Sequence, residues 1–401
     1  MIYSEAVDWL FSAVPNFQRD GGTKNYKIGL EGPIALWELL EFPGKHIPTV
    51  HVAGTNGKGS SVHLIASGMK EMGLKVGVFS SPHLFDFRER AKIGTKTVPE
   101  AFVVNFVVEH QEDFNKGGYS FFELTLMLSL KWFESEKVDW IILETGMGGR
   151  LDATNICDPE LCLITNIGMD HQQWLGTTRA SIANEKAGII KSGVPVVVVE
   201  QHEETREVFL NTAKEKGAPL FWAGHYDLKT DLQGAYQVAN LNGAYEALHL
   251  LFPDEVKLWK LGFERVVQNT GFFGRWSVIK HDPLTVCDTG HNEHAFNTLV
   301  PQALSSCSGN VHWVLGSASD KDHDAFFKTL PKERSIYYWT GCSSPRCATG
   351  DHLAQKAAIA GLEGLSFMKV SEALIAAQQN ATSNDLIFIG GSTFVIADLE
   401  L

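Results

Sequence analysis

Short apolar runs alternate along this chain with longer stretches whose apolar residues recur at helical spacing. The runs predict strands over 47–53, 75–80, 138–144, 161–167, 194–200, 284–289, 311–316, 335–340 and 385–390. The longer stretches predict helices near 58–72, 99–113, 121–135, 179–191, 240–252, 293–305, 322–329, 350–361 and 371–379. Val196-Val197-Val198-Val199 is β-branched without a break, which suits a parallel strand covered on both faces. Strand and helix in turn predict α/β domains with mostly parallel sheets.

The alternation breaks over Val266–Trp276, where Asn269, Gly271 and Gly274 cluster with two phenylalanines, and it restarts at Leu284. A domain boundary is therefore expected near 274, giving domains 1–274 and 275–401. At 401 residues the chain is long enough for two cores. With 44% hydrophobic and 20% charged residues it has ordinary globular composition. No apolar run approaches the roughly 20 residues that span a bilayer. Glu5 and Asp8 near the start do not suit a secretory signal. The net charge of -13 argues against general affinity for nucleic acid or acidic membranes. The six cysteines form no CxxC pair, so structural zinc is not expected. Cys342 and Cys347 flank a proline-containing loop, and the expectation is reduced thiols in a cytoplasmic protein.

The densest chemical signal is His51-Val52-Ala53-Gly54-Thr55-Asn56-Gly57-Lys58-Gly59-Ser60, between the first strand and the first long helix. A glycine-rich turn there directs backbone N–H groups and the positive helix end at one small volume. Lys58 adds a charge and Ser60 a hydroxyl able to reach magnesium. The spacing is not that of the common phosphate loop: two residues, not four, separate Gly54 from Gly57, and Gly59 separates Lys58 from Ser60. The element reads as a polyphosphate site in a P-loop-type domain, against the alternative of a tight turn with an incidental lysine.

Other strand ends carry matching chemistry. In open α/β sheets ligands bind at the carboxyl ends of strands. Strand 138–144 ends in Glu144, ahead of the glycine-rich Thr145–Asn155, and Glu144 stands where a phosphate-bound metal needs an acidic ligand. Its alternative is a carboxylate satisfied by loop N–H groups. His171 follows the next strand and suggests a second divalent metal site. Lys186 beside Glu185 is either a surface pair or a group turned into the site, and spacing alone does not decide. Asp288-Thr289-Gly290-His291-Asn292 closes a strand of the second domain, after Gly274-Arg275-Trp276. Arg275 offers a phosphate fork and Trp276 an aromatic face; the alternatives are an ion pair and a core residue. Together these place the expected active site in a cleft between the domains. Gly390-Gly391-Ser392 reads as a plain strand-to-helix turn.

Several blocks resemble those of the folylpolyglutamate and dihydrofolate synthases of the Mur ligase superfamily. They are His51–Ser60, Ser80-Ser81-Pro82-His83-Leu84, Glu144–Asn155, Asn166–His171, Glu185–Lys191, Gly274-Arg275-Trp276, Asp288–Asn292 and Asp320-Lys321-Asp322, in family order over nearly the whole chain. The resemblance implies that Gly54, Thr55, Asn56, Gly57, Lys58, Gly59, Ser60, Asn240, Arg275 and Asp288 contact ATP. It implies magnesium at two sites on Ser81, Glu144, His171 and Lys186, the last carbamylated. Lys58, Lys186 and His291 would stand at the reaction centre. Gly29, Leu30, Glu31, Phe122, Glu123, Leu151, Asp152 and Ala153 would line the pterin or folate pocket. The second domain would be Rossmann-like.

The implied enzyme is an ATP-dependent ligase, cytoplasmic and monomeric, that adds L-glutamate to dihydropteroate or to the tail of a reduced folate. Asp288-Thr289-Gly290-His291-Asn292-Glu293 departs from the commoner Asp-x-Ala-His-Asn-Pro, so an altered loop shape is expected there. Asn16–Tyr26 also departs, which leaves the choice of pterin open. A peptidoglycan Mur ligase would need a further N-terminal domain, and only about 45 residues precede the first strand. A nucleotide-binding switch would not need Glu144, His171 and Lys186 together.

Overall fold

The computed structural model describes residues 1–12 and 29–400. Asn16–Tyr26 lies outside them. Two compact units divide the chain: Met1–Asp231 with Gln237–Phe272, and Leu232–Tyr236 with Phe273–Leu401.

The first unit is built on eight strands: β1 (Thr49–Ala53), β2 (Val76–Phe79), β3 (Ala91–Ile93), β4 (Lys96–Thr97), β5 (Trp140–Glu144), β6 (Leu161–Ile164), β7 (Val196–Val198) and β8 (Leu220–Trp222). Their order is β4-β3-β2-β5-β1-β6-β7-β8. Only β3 and β4 run antiparallel to their neighbours. β1, β2, β6 and β7 are buried at every residue, as their unbroken apolar runs require. One core lies around the helix Phe121–Ser135, and another around Arg179–Ala187 and Glu203–Lys216.

The second unit has β9 (Ser277–His281), β10 (Leu284–Asp288), β11 (Val311–Leu315), β12 (Ser335–Thr340), β13 (Gly364–Phe367) and β14 (Leu386–Gly390). They are ordered β13-β12-β11-β14-β10-β9, all parallel except the β9–β10 pair. Its core gathers Trp276, Trp313, Trp339 and Phe388.

All nine expected strands are present. The pattern did not mark β3, β4, β8, β9 or β13, which are short or lie at a sheet edge. Among the described residues it also passed over seven α-helices, including Tyr3–Ser12, Glu31–Leu39 and Glu203–Lys216. Among the described residues no helix is long and apolar enough to cross a membrane.

Candidate active site

β1 lies between β5 and β6, and its register sets Val52 opposite Glu144 and Ala53 opposite Ile164. The chain leaves β1 through Gly54–Asn56 and enters the helix Lys58–Glu71 at Gly57, which is left-handed with φ 79°. A Cβ on Gly57 would lie 2.1 Å from Asn240 Oδ1, and one on Gly54 would lie 1.8 Å from Thr165 Oγ1. Both positions therefore require glycine. Thr165 Oγ1 donates to Asn56 O at 2.6 Å, and Asn56 N donates to Asn166 Oδ1 at 2.9 Å. Thr55 is held in turn by Gly168 N, which donates to its hydroxyl at 2.9 Å. The loop is thus clasped from the end of β6 before any ligand arrives. Thr165 and Asn166 went unmarked as site residues, because nothing local in the sequence ties them to residues 54–56.

Both lysines turn onto this loop. Lys58 Nζ donates to Gly54 O at 3.0 Å and Thr55 O at 3.3 Å, and Lys186 Nζ donates to Gly54 O at 2.8 Å. Lys186 is 3% exposed. Burial and then the neighbouring Lys58 bring its pKa down to about 7. The alternative left open by spacing is resolved: Lys186 faces inward, and Glu185 takes the ion pair, with Arg150 at 2.8 Å. Its helix, Arg179–Ala187, ends at Gly188, short of the expected 191. A Cβ there would collide with Arg150.

Glu144 is buried at the end of β5 and accepts Ser81 N at 3.3 Å. Ser60 Oγ and Ser61 Oγ are buried in the first turn of the helix and have no hydrogen-bond partner. Buried hydroxyls left unpaired are costly unless a ligand meets them. A buried carboxylate and buried serine hydroxyls offer the hard oxygen chemistry that suits magnesium or manganese. Among the described residues no three His, Cys, Asp or Glu side chains gather as a metal cluster. A cation here would therefore draw on few protein carboxylates, as magnesium beside phosphates does. His171 caps the short helix Gln172–Leu175 at φ 50°, with Nε2 4.0 Å from Asp170 Oδ2.

The expected pterin residues converge in part. A Cβ on Gly146 would lie 2.8 Å from the Phe122 ring and 3.4 Å from Asp152 Oδ2, so loop, ring and carboxylate are neighbours. Glu123 closes a capping box with Ser120, and a Cβ on Gly32 would lie 2.9 Å from Glu123 Oε1. Gly29 and Leu30 lead into the helix that starts at Glu31. Leu151 is partly buried and Ala153 is buried in the first core. Arg90, which the sequence did not single out, is buried: its Nε donates to His83 Nδ1 at 2.8 Å and its cation lies 5.0 Å over the Phe121 ring.

In the second unit Asp288 ends β10 and is 2% exposed. Its Oδ2 accepts Tyr236 O–H at 2.5 Å and Trp276 N at 2.8 Å, and its Oδ1 accepts Gly290 N at 2.7 Å. Burial pushes its pKa up, and Arg275 pulls the other way. Arg275 Nη1 donates to Gly274 O at 3.0 Å and to the Thr289 hydroxyl. His291 Nδ1 lies 3.1 Å from Thr289 O. Trp276 is buried with its ring centroid 5.9 Å from that of Phe388, so of its two readings the core residue holds, not the ligand platform. Ser392 caps a five-residue helix and Gly391 packs on Gly316 O, as a plain turn would.

One expectation is corrected. Cys342 and Cys347 form a disulfide, because the five-residue loop brings their Cα atoms to 5.8 Å, within bridging range. The other four cysteines are free thiols.

A clasped glycine loop at the central strand of a parallel sheet, with two lysines and a buried carboxylate, defines a nucleoside-triphosphate enzyme. Residues 52–258 match the Mur ligase middle domain, and residues 274–393 match the glutamate ligase domain of the Mur ligases. The chain belongs to the Mur ligase family. The dihydrofolate synthase/folylpolyglutamate synthase of Escherichia coli is 33% identical to it, over 86% of this chain and 84% of that protein. The bifunctional folylpolyglutamate synthase/dihydrofolate synthase of Yersinia pestis, complexed with AMPPNP and Mn ion, superposes with TM-score 0.86 at 29% identity, covering 99% of this chain and 97% of that one. E. coli FolC in complex with DHPP and ADP superposes with TM-score 0.84 at 28% identity, covering 99% and 96%. The folate branch expected from the sequence blocks is borne out.

Proposed function

We propose that this protein is an ATP-dependent ligase that joins L-glutamate to dihydropteroate, to the glutamate tail of a reduced folate, or to both. The observation that carries the reading is the clasped loop 54–57, with Lys58, Lys186 and Glu144 around it, in a chain of this family. The backbone N–H groups of Gly57–Ser60 and the Lys58 ammonium receive the ATP phosphates. The carboxylate of the pterin substrate attacks the γ-phosphorus, the bond to the β-phosphate oxygen breaks, and ADP leaves an acyl phosphate. The unprotonated α-amine of glutamate then attacks the acyl carbon. The tetrahedral oxyanion collapses to an amide and expels inorganic phosphate. Lys58 offsets charge that grows on the transferred phosphoryl group.

Ser81, Glu144, His171 and a carbamylated Lys186 would together hold magnesium at two sites, and the ions would supply charge neutralisation of the phosphates. Burial supports the carbamate. A lysine with a pKa near 7 is partly neutral at neutral pH, and a neutral amine adds to carbon dioxide with loss of a proton. Asn240, beside Gly57, and Arg275 and Asp288 of the second unit would complete the ATP contacts, with His291 near the transfer. Gly29–Glu31, Phe122-Glu123 and Leu151–Ala153 would hold the pterin. On this reading residues 1–274 carry ATP and the acceptor, and 275–401 serve glutamate ligation, in a cytoplasmic monomer acting on small molecules.

The test is phosphate release from ATP with dihydropteroate and tetrahydrofolate offered separately, each with and without L-glutamate. The expected product carries the mass of one added glutamate residue. Phosphate release indifferent to both glutamate and pterin would sink the reading.

A further inference from the structure

His51 lies inside β1, fully buried, three residues before the glycine loop. Its Nε2 is 2.8 Å from Thr154 Oγ1. Thr154 Oγ1 lies 2.6 Å from Asp152 Oδ1, which also accepts Thr154 N at 3.0 Å. Asp152 Oδ2 accepts Met147 N at 2.9 Å. Burial pushes the Asp152 pKa up, while hydrogen bonds from Thr154, Met147 and Gly146 pull the other way; with Asp152 ionised, the proton directions in this chain follow. Asp152 as a carboxylate only accepts, so the single hydroxyl proton of Thr154 goes to it. The Thr154 oxygen must then accept, which puts a proton on His51 Nε2. His51 Nδ1 is the bare nitrogen, and it has no partner. Burial and then Lys191 push the ring's pKa down to about 3, so it is neutral throughout the working range.

The line of bonds His51 to Thr154 to Asp152 to Met147 joins two parts of the site. One end is the strand that feeds the phosphate loop. The other is the turn 146–152, whose Gly146 lies against the Phe122 ring and whose Arg150 N donates to Glu185 O at 2.7 Å. A core histidine that served packing alone would not need its donor aimed at a hydroxyl already committed to a carboxylate. We infer that His51 is a positioning residue for the acceptor substrate: through Thr154 it sets the orientation of Asp152 and of the loop that Asp152 pins. The inference rests on the reading that Asp152 lies in the pterin pocket.

Four variants and steady-state kinetics test it: His51→Leu and Thr154→Val remove the relay, while His51→Gln and Thr154→Ser keep a donor and a hydroxyl. Gln places its amide nitrogen near where Nε2 stood, and Thr→Val preserves shape, so Thr154→Val carries the test if His51→Leu fails to fold. The expected result is a roughly tenfold rise in KM for the pterin acceptor in both relay-free variants, the scale of one buried hydrogen bond. KM for ATP should stay within about twofold of the parent, and both conservative variants should restore acceptor KM. An unchanged acceptor KM in Thr154→Val, or an equal loss toward ATP, glutamate and acceptor, overturns the inference. Parent protein that ligates no glutamate to any pterin overturns the function instead, before the variants are compared.

Discussion

Two strand ends, Glu144 on β5 and Asp288 on β10, look alike in sequence: an acidic residue closing an apolar run, followed by a glycine-containing turn. Their surroundings differ. Glu144 lies beside Gly59, the next two residues bury hydroxyls without partners, and two lysines rest on carbonyls of the phosphate loop. On the proposed reading that edge receives a multiply charged ligand, which takes over those bonds. Asp288 has three of its roughly four acceptor positions filled by Tyr236, Trp276 and Gly290. It organises its own turn first and keeps about one acceptor position for a ligand. Two carboxylates alike in sequence thus differ in what surrounds them, one near partnerless hydroxyls and the other inside its own turn.

The contrast breaks most sharply at Lys58. Lys58→Ala is expected to lower kcat by at least about a hundredfold while the melting temperature is unchanged, because on the proposed reading the ammonium acts on transferred charge, and it is only partly buried. Phosphate-release kinetics beside a thermal melt decide it. Near-normal ligation would show that the first unit's loop is not the centre of the chemistry.

Asp288→Ala should show the converse. It strands the Tyr236 hydroxyl and the Trp276 and Gly290 amides, and a destabilisation of about 3 kcal/mol is expected in urea unfolding. If stability is unchanged, Asp288 does not organise its turn, whatever it contributes to ATP.

The smallest effect is the pH response of Lys186. Its folded pKa is lowered to about 7 from an ordinary 10.5. Below pH 7 the buried ammonium costs stability in full. Between about 7 and 10.5 the unfolded chain binds the extra proton, so this cost is progressively relieved as pH rises. Lys186→Met should therefore raise the melting temperature more at pH 6 than at pH 9. Bicarbonate should add the mass of one carbon dioxide to the parent above pH 7 and not to this variant. A pH-independent difference between the two melts would show that Lys186 titrates in the ordinary lysine range.

Much of this was legible in the chain. The nine principal strands are runs dense enough in apolar residues to be read without neighbours. The helix Glu203–Lys216 escaped because only Thr205, Phe209 and Ala213 are buried along fourteen residues. β13 escaped because it is largely exposed, so its sequence is not constrained to be apolar. The glycine loop was legible because its conformation demands glycine at Gly54 and Gly57. The clasp by Thr165 was not, since a threonine after a strand is unremarkable until the strand's neighbour is known. The segment Leu232–Tyr236 joins the second unit, where the Tyr236 hydroxyl meets Asp288, and no composition shift announces it.

The α/β class, the nine principal strands and the glycine-rich turn after the first of them are legible in the chain, because period, β-branching and backbone demand act over a few residues. The inward turn of Lys186, the core place of Trp276, the Cys342–Cys347 bridge and the reach of His51 to Asp152 through Thr154 come from the folded chain. Each of those depends on which atoms lie within about 3 Å to 6 Å across the fold, and burial then sets charge states that no local spacing contains.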